Sequence, residues 1–354
     1  MLGIDPRAAR AAWTVLLLAL VVAAAYAIRS TLAVFMVAVF FAYLLMPLVE
    51  AVAHYTPKRL SGTPALAIVY LLLVGFIVAL AFTLGSRIAD EANSLAVRLP
   101  DLLKNRQWID KIPLPYWLEP ARTRMVQWLQ EEIDNGGRDI LPYVKSFGGQ
   151  LITGARYILY IVLVPILAFF FLKDGRKIRQ DVIDSMDESN QVLVEEILDD
   201  ISRLLGQYIR ALVLLSVSSF AANSIFLAVT GAPYAILLAG ISALGEFLPV
   251  VGPASGAAIV LAVTGLSGYN HLIAFILFWI VFRMFQDYVV NPYVMGKGVE
   301  LNPLLVLFGV LAGEQIGGIA GMFFSVPVLA TLRVVFVRLQ RARTRDMVAP
   351  KVRA

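Results

Sequence analysis

The chain has 354 residues, of which 59% are hydrophobic and only 16% are charged. Soluble domains average about 45–50% apolar and about 25% charged residues, so the composition excludes an ordinary soluble protein. Apolar runs of roughly 20 residues, long enough to cross a bilayer as helices, recur along the chain. No segment has the alternation typical of an outer-membrane barrel. The sequence predicts an all-α fold, namely a polytopic helical membrane protein with about eight spans, two of them discontinuous or re-entrant.

The formal net charge of +5 does not indicate a nucleic-acid partner, because the basic residues follow predicted spans. Clusters at 173–179 and 338–353 match the positive-inside pattern, which makes membrane lipids the expected partner. The chain has no cysteine and two histidines, His54 and His271, far apart in sequence. It also lacks the GxxxxGK[ST] and HExxH patterns. We therefore expect no cofactor, no metal and no enzymatic activity.

In chain order, the sequence divides into five regions. These are a three-span region (1–86), an extracytoplasmic helical domain (87–149), span 4 with cytoplasmic amphipathic helices (150–205), a core transport region (206–340), and a basic cytoplasmic tail (341–354). Residues 7–27 resemble a signal peptide, but a second apolar run follows at once, so we expect an uncleaved helical hairpin of spans 11–28 and 31–53. Span 3 is expected at about 63–86. The amphipathic helix within 176–205 is expected to lie on the membrane or on a neighbouring subunit.

The core region contains two similar units, 231–265 and 302–332. Each opens near a proline, runs apolar to a Gly-Glu pair, and then meets a GxxxG spacing. Paired hydrophobic segments interrupted by glycine and proline are typical of transport sites, because half-helix ends expose backbone dipoles that can hold a substrate. We expect both units to cross the bilayer, with a re-entrant hairpin as the alternative that moves the loop around Lys297 to the cytoplasm. Replacing Gly252 or Gly317 by leucine is expected to block transport more than it lowers stability.

Few ionisable residues lie deep in apolar segments. The candidate substrate or ion pathway consists of Glu246, Pro249, Gly252, Arg283, Gln286, Asp287, Asn291, Glu314 and Gly317. Residues 283, 287 and 291 share a helix face, so Arg283 and Asp287 form either a self-satisfying pair or part of a permeation path. Glu246 either pairs with Arg283 or, in dry surroundings, acts as a proton carrier. Arg29 is expected at a span end, where it can snorkel to the interface.

Several stretches resemble the autoinducer-2 exporter family of bacterial inner-membrane proteins, the PerM-like permeases. They are PILAFFFLKDG (165–175), GQYIRA (206–211), GAPYAILLAG (231–240), EFLPVVGP (246–253), QDYVVNPYVMGKGVELNPLLVLFGVLAG (286–313) and GIAGMFFSVPVLA (318–330). The resemblance implies a multi-pass carrier of the inner membrane, a homo-oligomer (a pentamer), and no ATP hydrolysis. It implies either export of autoinducer-2 or sodium/proton antiport. Glu314 departs from the family pattern, in which a small or apolar residue is usual.

The sequence thus predicts a secondary transporter exporting a small polar solute, such as an autoinducer-2-like signalling molecule. The alternative is a cation/proton antiporter in which Glu246 and Asp287 exchange the ions. A further alternative is a non-transporting membrane scaffold that binds partners through residues 87–149. In either transport case, the two broken units are expected to move relative to the rest of the protein.

Overall fold

The computed structural model describes residues 6–55, 63–104, 155–295 and 301–348, and within these ranges it contains helices and no strand. The helices are α1 (Pro6–Ala27), α2 (Arg29–Tyr55), α3 (Thr63–Leu80), α4 (Ser86–Lys104), α5 (Ala155–Asp184), α6 (Glu188–Val229), α7 (Ala235–Gly245), α8 (Val251–Leu266), α9 (Leu272–Phe285), α10 (Asn291–Met295) and α11 (Pro303–Val348). Five helices in this part of the chain are long and apolar enough to cross a membrane. The all-α, multi-pass prediction is confirmed, whereas the count of about eight spans is not.

The expected hairpin of the first two spans is wrong. The amide of Ile28 donates to the carbonyl of Ala24 (3.0 Å), and the amide of Leu32 donates to the carbonyl of Ile28 (2.9 Å). These are the four-residue bonds of an α-helix, and the single residue between α1 and α2 cannot reverse the chain. Helices α1 and α2 therefore continue in one direction, and Arg29 lies inside a long helical segment instead of at its end.

Span 3 also extends further than the sequence predicted. Helix α3 passes through a π-helical turn at Ala81–Gly85 directly into α4, so the helix continues to Lys104. The side chain of Glu91 on α4 accepts a hydrogen bond of 2.8 Å from the amide of Leu237, in the first turn of α7. A carboxylate at a helix N-terminus satisfies a free amide and interacts favourably with the helix dipole. Residues 105–149 of the predicted extracytoplasmic domain lie outside the described residues.

Residues 188–205 do not lie flat on the membrane, because they form the first part of the 42-residue helix α6. This part carries an acidic stripe, Glu195, Glu196, Asp199 and Asp200. Arg179 of α5 pairs with Asp199 at 2.8 Å, and Arg338 of α11 pairs with Asp200 at 2.5 Å. The ends of α5 and α11 and the start of α6 therefore pack together. These are stretches that the charge pattern places in the cytoplasm.

The first broken unit is a tight antiparallel hairpin of α7 and α8. A Cβ added to Gly245 would lie 2.7 Å from the carbonyl oxygen of Gly252, and one added to Gly256 would lie 3.2 Å from the Cα of Ser242. At the base of the hairpin, the Tyr269 hydroxyl donates a hydrogen bond to the Thr230 hydroxyl, so the two ends meet. The unit returns to the side from which it starts. The expectation that it crosses the bilayer is therefore wrong, and the re-entrant alternative applies.

The second unit has the same construction within α11. The helix is broken at Gly317 (φ −138°, ψ 15°) and Gly318 (φ 59°, ψ −140°). A positive φ is a conformation that glycine adopts at little cost. Backbone contact between Gly313 and Gly321 closes the two arms on each other. The arms are antiparallel, and the second arm runs on as a helix to Val348.

The two hairpins enter from opposite ends of α6. The base of the first lies at Thr230, directly after the C-terminal end of α6, whereas the returning arm of the second runs on to Arg338, which pairs with Asp200 in the N-terminal part of α6. Thr230 and Asp200 are about 45 Å apart at 1.5 Å per residue, more than the hydrocarbon thickness of a bilayer. Phe247 at the tip of the first hairpin contacts Phe323 of the second, with ring centroids 6.0 Å apart. The tips therefore meet between the two ends.

Candidate functional site

Glu246 lies at the tip of the first hairpin, where α7 ends. Pro249 cannot continue the helix, and Val250 adopts a φ of 67°, which is unusual for a β-branched residue. The chain then reverses into α8, with the amide of Gly252 donating to the carbonyl of Leu248 at 2.9 Å. Only 7% of Glu246 is exposed. The turn thus places a buried carboxylate four residues before a strained backbone position.

Arg283 of α9 is shared between two carboxylates. Its guanidinium lies 3.5 Å from Glu246 and 3.0 Å from Asp287, and its Nε donates a second 3.0 Å bond to Asp287. Asn291 donates a hydrogen bond of 3.2 Å to Asp287 from one turn further along. With both acids ionised, the three charged groups sum to −1. Both structural pairings that the sequence suggested are present, and they compete for one arginine.

Asp287 and Gln286 lie in a π-helical turn, Gln286–Val290, that interrupts the helix between α9 and α10. Such turns insert one extra residue, re-aim side chains, and are frequent at functional sites. Gln286 is 1% exposed, and its amide approaches the carbonyl of Leu215 (3.4 Å) and the hydroxyl of Ser218 (3.5 Å) on α6. The Gln286 side chain also lies beside the carboxyl group of Glu246.

A polar stripe on α6 faces this cluster, and the sequence interpretation missed it. Ser216 donates a hydrogen bond of 2.9 Å to the carbonyl of Ala243 in α7. Ser219 and Asn223 are each 2% exposed, and Ser219 lies beside Glu246. Residues 216, 219 and 223 recur at the spacing of one helix face, which is the signal that identifies them in an otherwise apolar span.

Among the described residues, the second hairpin contributes no side chain to the carboxylate cluster, although its sequence resembles that of the first hairpin. Glu314 is exposed and makes no hydrogen bond or ion pair with any described residue. Gly317 lies at the break between the two arms. The structure therefore brings together five predicted residues, Glu246, Arg283, Gln286, Asp287 and Asn291. It places Pro249 and Gly252 in the tip beneath them, and it leaves Glu314 and Gly317 on the other hairpin.

A cavity of about 1610 Å³ lies between the tips of the two hairpins and the junction of α1 with α2. The first hairpin contributes Gly245, Phe247 and Leu248 to its wall, and the second contributes the segment 315–321. Glu246 does not line it. The tip of the first hairpin thus has two faces, one turned to the carboxylate cluster on α6 and α9 and the other to the cavity.

The described residues contain no group of three acidic or histidine side chains that could hold a metal ion. In the carboxylate cluster, the guanidinium group of Arg283 balances one of the two negative charges of Glu246 and Asp287.

These features define a multi-pass helical membrane protein whose two opposed re-entrant hairpins meet at a cavity, an arrangement found in transporters built from inverted repeats. The family model described as AI-2E family transporter matches residues 15–341. The chain belongs to that family, the autoinducer-2 exporter family.

Three relatives, each named "putative transport protein", are similar to this chain over most of their length. YueF of Bacillus subtilis is 24% identical over 82% of this chain and 80% of its own. YrrI of the same organism is 24% identical over 87% of this chain and 86% of its own. MT0215 of Mycobacterium tuberculosis is 27% identical over 90% of this chain and 87% of its own.

Proposed function

We propose that this protein is a secondary transporter of the bacterial inner membrane that exports a small polar solute, such as an autoinducer-2-like signalling molecule. The observation that carries the proposal is the meeting of two oppositely inserted hairpins at one cavity. Each tip is closed by a glycine contact, Gly245 with Gly252 and Gly313 with Gly321. Opposed hairpins can open to opposite sides in turn, as alternating access requires.

Such a hairpin is a compact body that can move as a unit. Its arms touch through backbone at the glycines, so the pair has no interlocking side chains at the tip. The base of the first hairpin is held by Glu91 and by the Thr230–Tyr269 bond, and its tip is held by the ion pair to Arg283. Transport would break the contacts at the tip and keep those at the base.

The sharing of Arg283 favours a second candidate, a cation/proton antiporter. Two carboxylates around one arginine leave a net charge of −1, and a proton or a sodium ion can balance it in turn. Glu246 and Asp287 would be the exchanging groups. The same cluster can also couple solute export to a proton gradient, so the two candidates share these residues and differ in the solute.

Reconstituted vesicles separate the candidates. The purified chain is sealed into liposomes, and flux of a labelled solute and of protons is followed under an imposed pH or sodium gradient. Solute flux supports the exporter, and sodium-dependent proton flux without solute supports the antiporter. The absence of both would leave the scaffold as the interpretation and overturn our proposal. Asp287→Asn should abolish any proton-coupled flux, because its removal leaves Glu246 and Arg283 as a neutral pair.

We also propose that the protein assembles as a homo-oligomer in contact with membrane lipids. The exposed surface of the single chain is largely apolar along α1, α3 and α9, as lipids or neighbouring copies require. Crosslinking in native membranes, followed by mass measurement in detergent, tests both the oligomer and the pentamer that the family resemblance implies.

A further inference from the structure

Arg29 occupies an unusual place for a charged residue in a membrane protein. Residues 11–28 before it and 30–49 after it carry no charge. These flanks correspond to about 27 Å and 30 Å of helix, each close to a full bilayer thickness. Because the helix continues through Ile28, Arg29 has no nearby helix end from which to reach the interface.

The hairpin tips give the depth of this residue. Arg29 lines the same cavity as Gly245 and Gly318, which are at the two tips. Helix α7 has 11 residues, so the first tip lies about 16 Å from its base, roughly half of the bilayer thickness. Arg29 therefore lines the cavity at the level of the hairpin tips. A cation at that depth is costly unless water or an anion solvates it, and such residues are functional by default.

The described residues do not supply an anion for Arg29. Its contact is with the ring of Tyr26, whose centroid lies 4.4 Å from the guanidinium carbon. Among the described residues that line the cavity, Arg29 is the one that carries a charge, and none is an aspartate or a glutamate. Three further lining residues offer neutral hydrogen-bonding side chains, namely Ser30, Ser255 and Gln315. The rest of the wall is mainly aliphatic and phenylalanine.

We propose that the cavity binds the transported solute through an anionic group, a carboxylate, sulfonate or phosphate, with Arg29 as its counter-ion. The inference rests on the proposed transport function. The first turn of the returning arm of the second hairpin, residues 319–321, also lines the cavity. Free amides there add favourable charge for the same group. Arg29 supplies the charge, Gln315 and Ser255 supply hydrogen bonds, and Phe247 and Phe323 contact the carbon skeleton of the solute.

The charge of the cavity can be measured directly because the chain has no cysteine. Ser255→Cys places a single thiol on the cavity wall, and its reaction rates with an anionic and a cationic methanethiosulfonate reagent are compared. Arg29→Gln should lower the anionic-to-cationic rate ratio about tenfold. The same change should leave the ratio unaltered for Val229→Cys, at the exposed end of α6. An unchanged ratio at Ser255→Cys would overturn the inference.

Binding is tested with 8-anilinonaphthalene-1-sulfonate and its uncharged parent, N-phenyl-1-naphthylamine, on the full chain in a neutral detergent. Saturable binding of the sulfonate should weaken about tenfold in Arg29→Gln and be retained in Arg29→Lys, while the uncharged probe binds all three alike. Equal binding of the sulfonate to wild type and Arg29→Gln would overturn the proposal. Thermal unfolding of each variant establishes that the loss is not one of folding.

An anionic lipid headgroup carries the same chemistry as an anionic solute. Phosphatidylglycerol added at a few molecules per protein should not displace the sulfonate probe if the cavity is a solute site. Displacement would assign the cavity to lipid and refute the solute proposal. Charge-selective binding without any flux in vesicles would refute transport while retaining the anion site. Flux that is unaffected by Arg29→Gln would refute the anion site while retaining transport.

Discussion

The glycine contacts at the hairpin tips allow a sharp test of the fold, with a control in the same sequence motif. A Cβ on Gly252 would lie 2.6 Å from the carbonyl carbon of Gly245, and one on Gly321 would lie 2.6 Å from that of Gly313. Carbon atoms in contact prefer about 3.5–4.0 Å, and the carbonyl oxygens of Gly245 and Gly313 lie closer still, so an added methyl group requires the arms to separate by more than about 1 Å. Both neighbours are backbone and cannot rotate away.

Gly252→Ala and Gly321→Ala should therefore each lower the free energy of unfolding by about 1–3 kcal/mol, the usual cost of overpacking. Gly317 belongs to the second GxxxG spacing, yet no atom lies within 4 Å of a Cβ built there, and its φ is negative. Gly317→Ala should change the free energy of unfolding by no more than about 0.5 kcal/mol. Sequence alone treated Gly252 and Gly317 as equivalent, and the structure separates them.

The measurement is unfolding of the detergent-solubilised protein, by heat or denaturant, followed through its five tryptophans. Each alanine variant is compared with wild type at the same detergent concentration. Equal stability of Gly252→Ala and Gly317→Ala would refute the packing that we describe. Loss of flux in Gly317→Ala with unchanged stability would instead assign that glycine to motion of the hairpin.

Three further predictions concern the contacts that hold the hairpins. Arg283→Gln should destabilise the protein by about 3–5 kcal/mol, because it leaves buried Glu246 without its counter-ion, whereas Asp287→Asn should be near neutral in the same unfolding assay. Glu91→Ala should cost about 0.5–2 kcal/mol by removing the acceptor at the start of α7, and equal hydrogen exchange in α7 of variant and wild type would contradict this. Arg338→Gln should increase protease cleavage near the end of α11, and an unchanged cleavage rate would show that its pairing to α6 contributes nothing measurable there.

The sequence predicted the membrane class, the two broken units and the composition of the carboxylate cluster. Each rests on a local pattern. Long apolar runs have few alternatives to membrane helices, and the spacing of Arg283, Asp287 and Asn291 fixes a common helix face. Glu246 could be placed at a turn because Pro249 ends the helix. That the Arg283–Glu246 pair forms depends on the packing of α7 against α6 and α9, which no local pattern encodes.

The errors also have physical causes. Two successive apolar runs, 11–28 and 31–53, suggested a hairpin of two spans, but neither Arg29 nor Ser30 between them prevents a helix from continuing. Charge could not decide whether the broken units cross, because the turn at 264–270 carries none. The decisive contact, between Thr230 and Tyr269, joins two neutral hydroxyl groups 39 residues apart. The stripe on α6 was missed because isolated serines give a weak signal in an apolar span, and because their partners, such as the Ala243 carbonyl of α7, are set by tertiary packing.

The carboxylate cluster and the cavity lined by Arg29 lie on opposite faces of the tip of the first hairpin. This arrangement bears on how ion binding and solute binding are coupled. Glu246 faces Arg283 and Asp287, whereas its neighbours Gly245 and Phe247 face the cavity that Arg29 lines. A change in the charge of the carboxylate cluster alters how firmly the tip is held to α9, and movement of the tip reshapes the cavity. A ligand can shift such an equilibrium only by its differential affinity for the two positions. Binding of an anion beside Arg29 and neutralisation of the Glu246 cluster would then act on one movable element without touching each other.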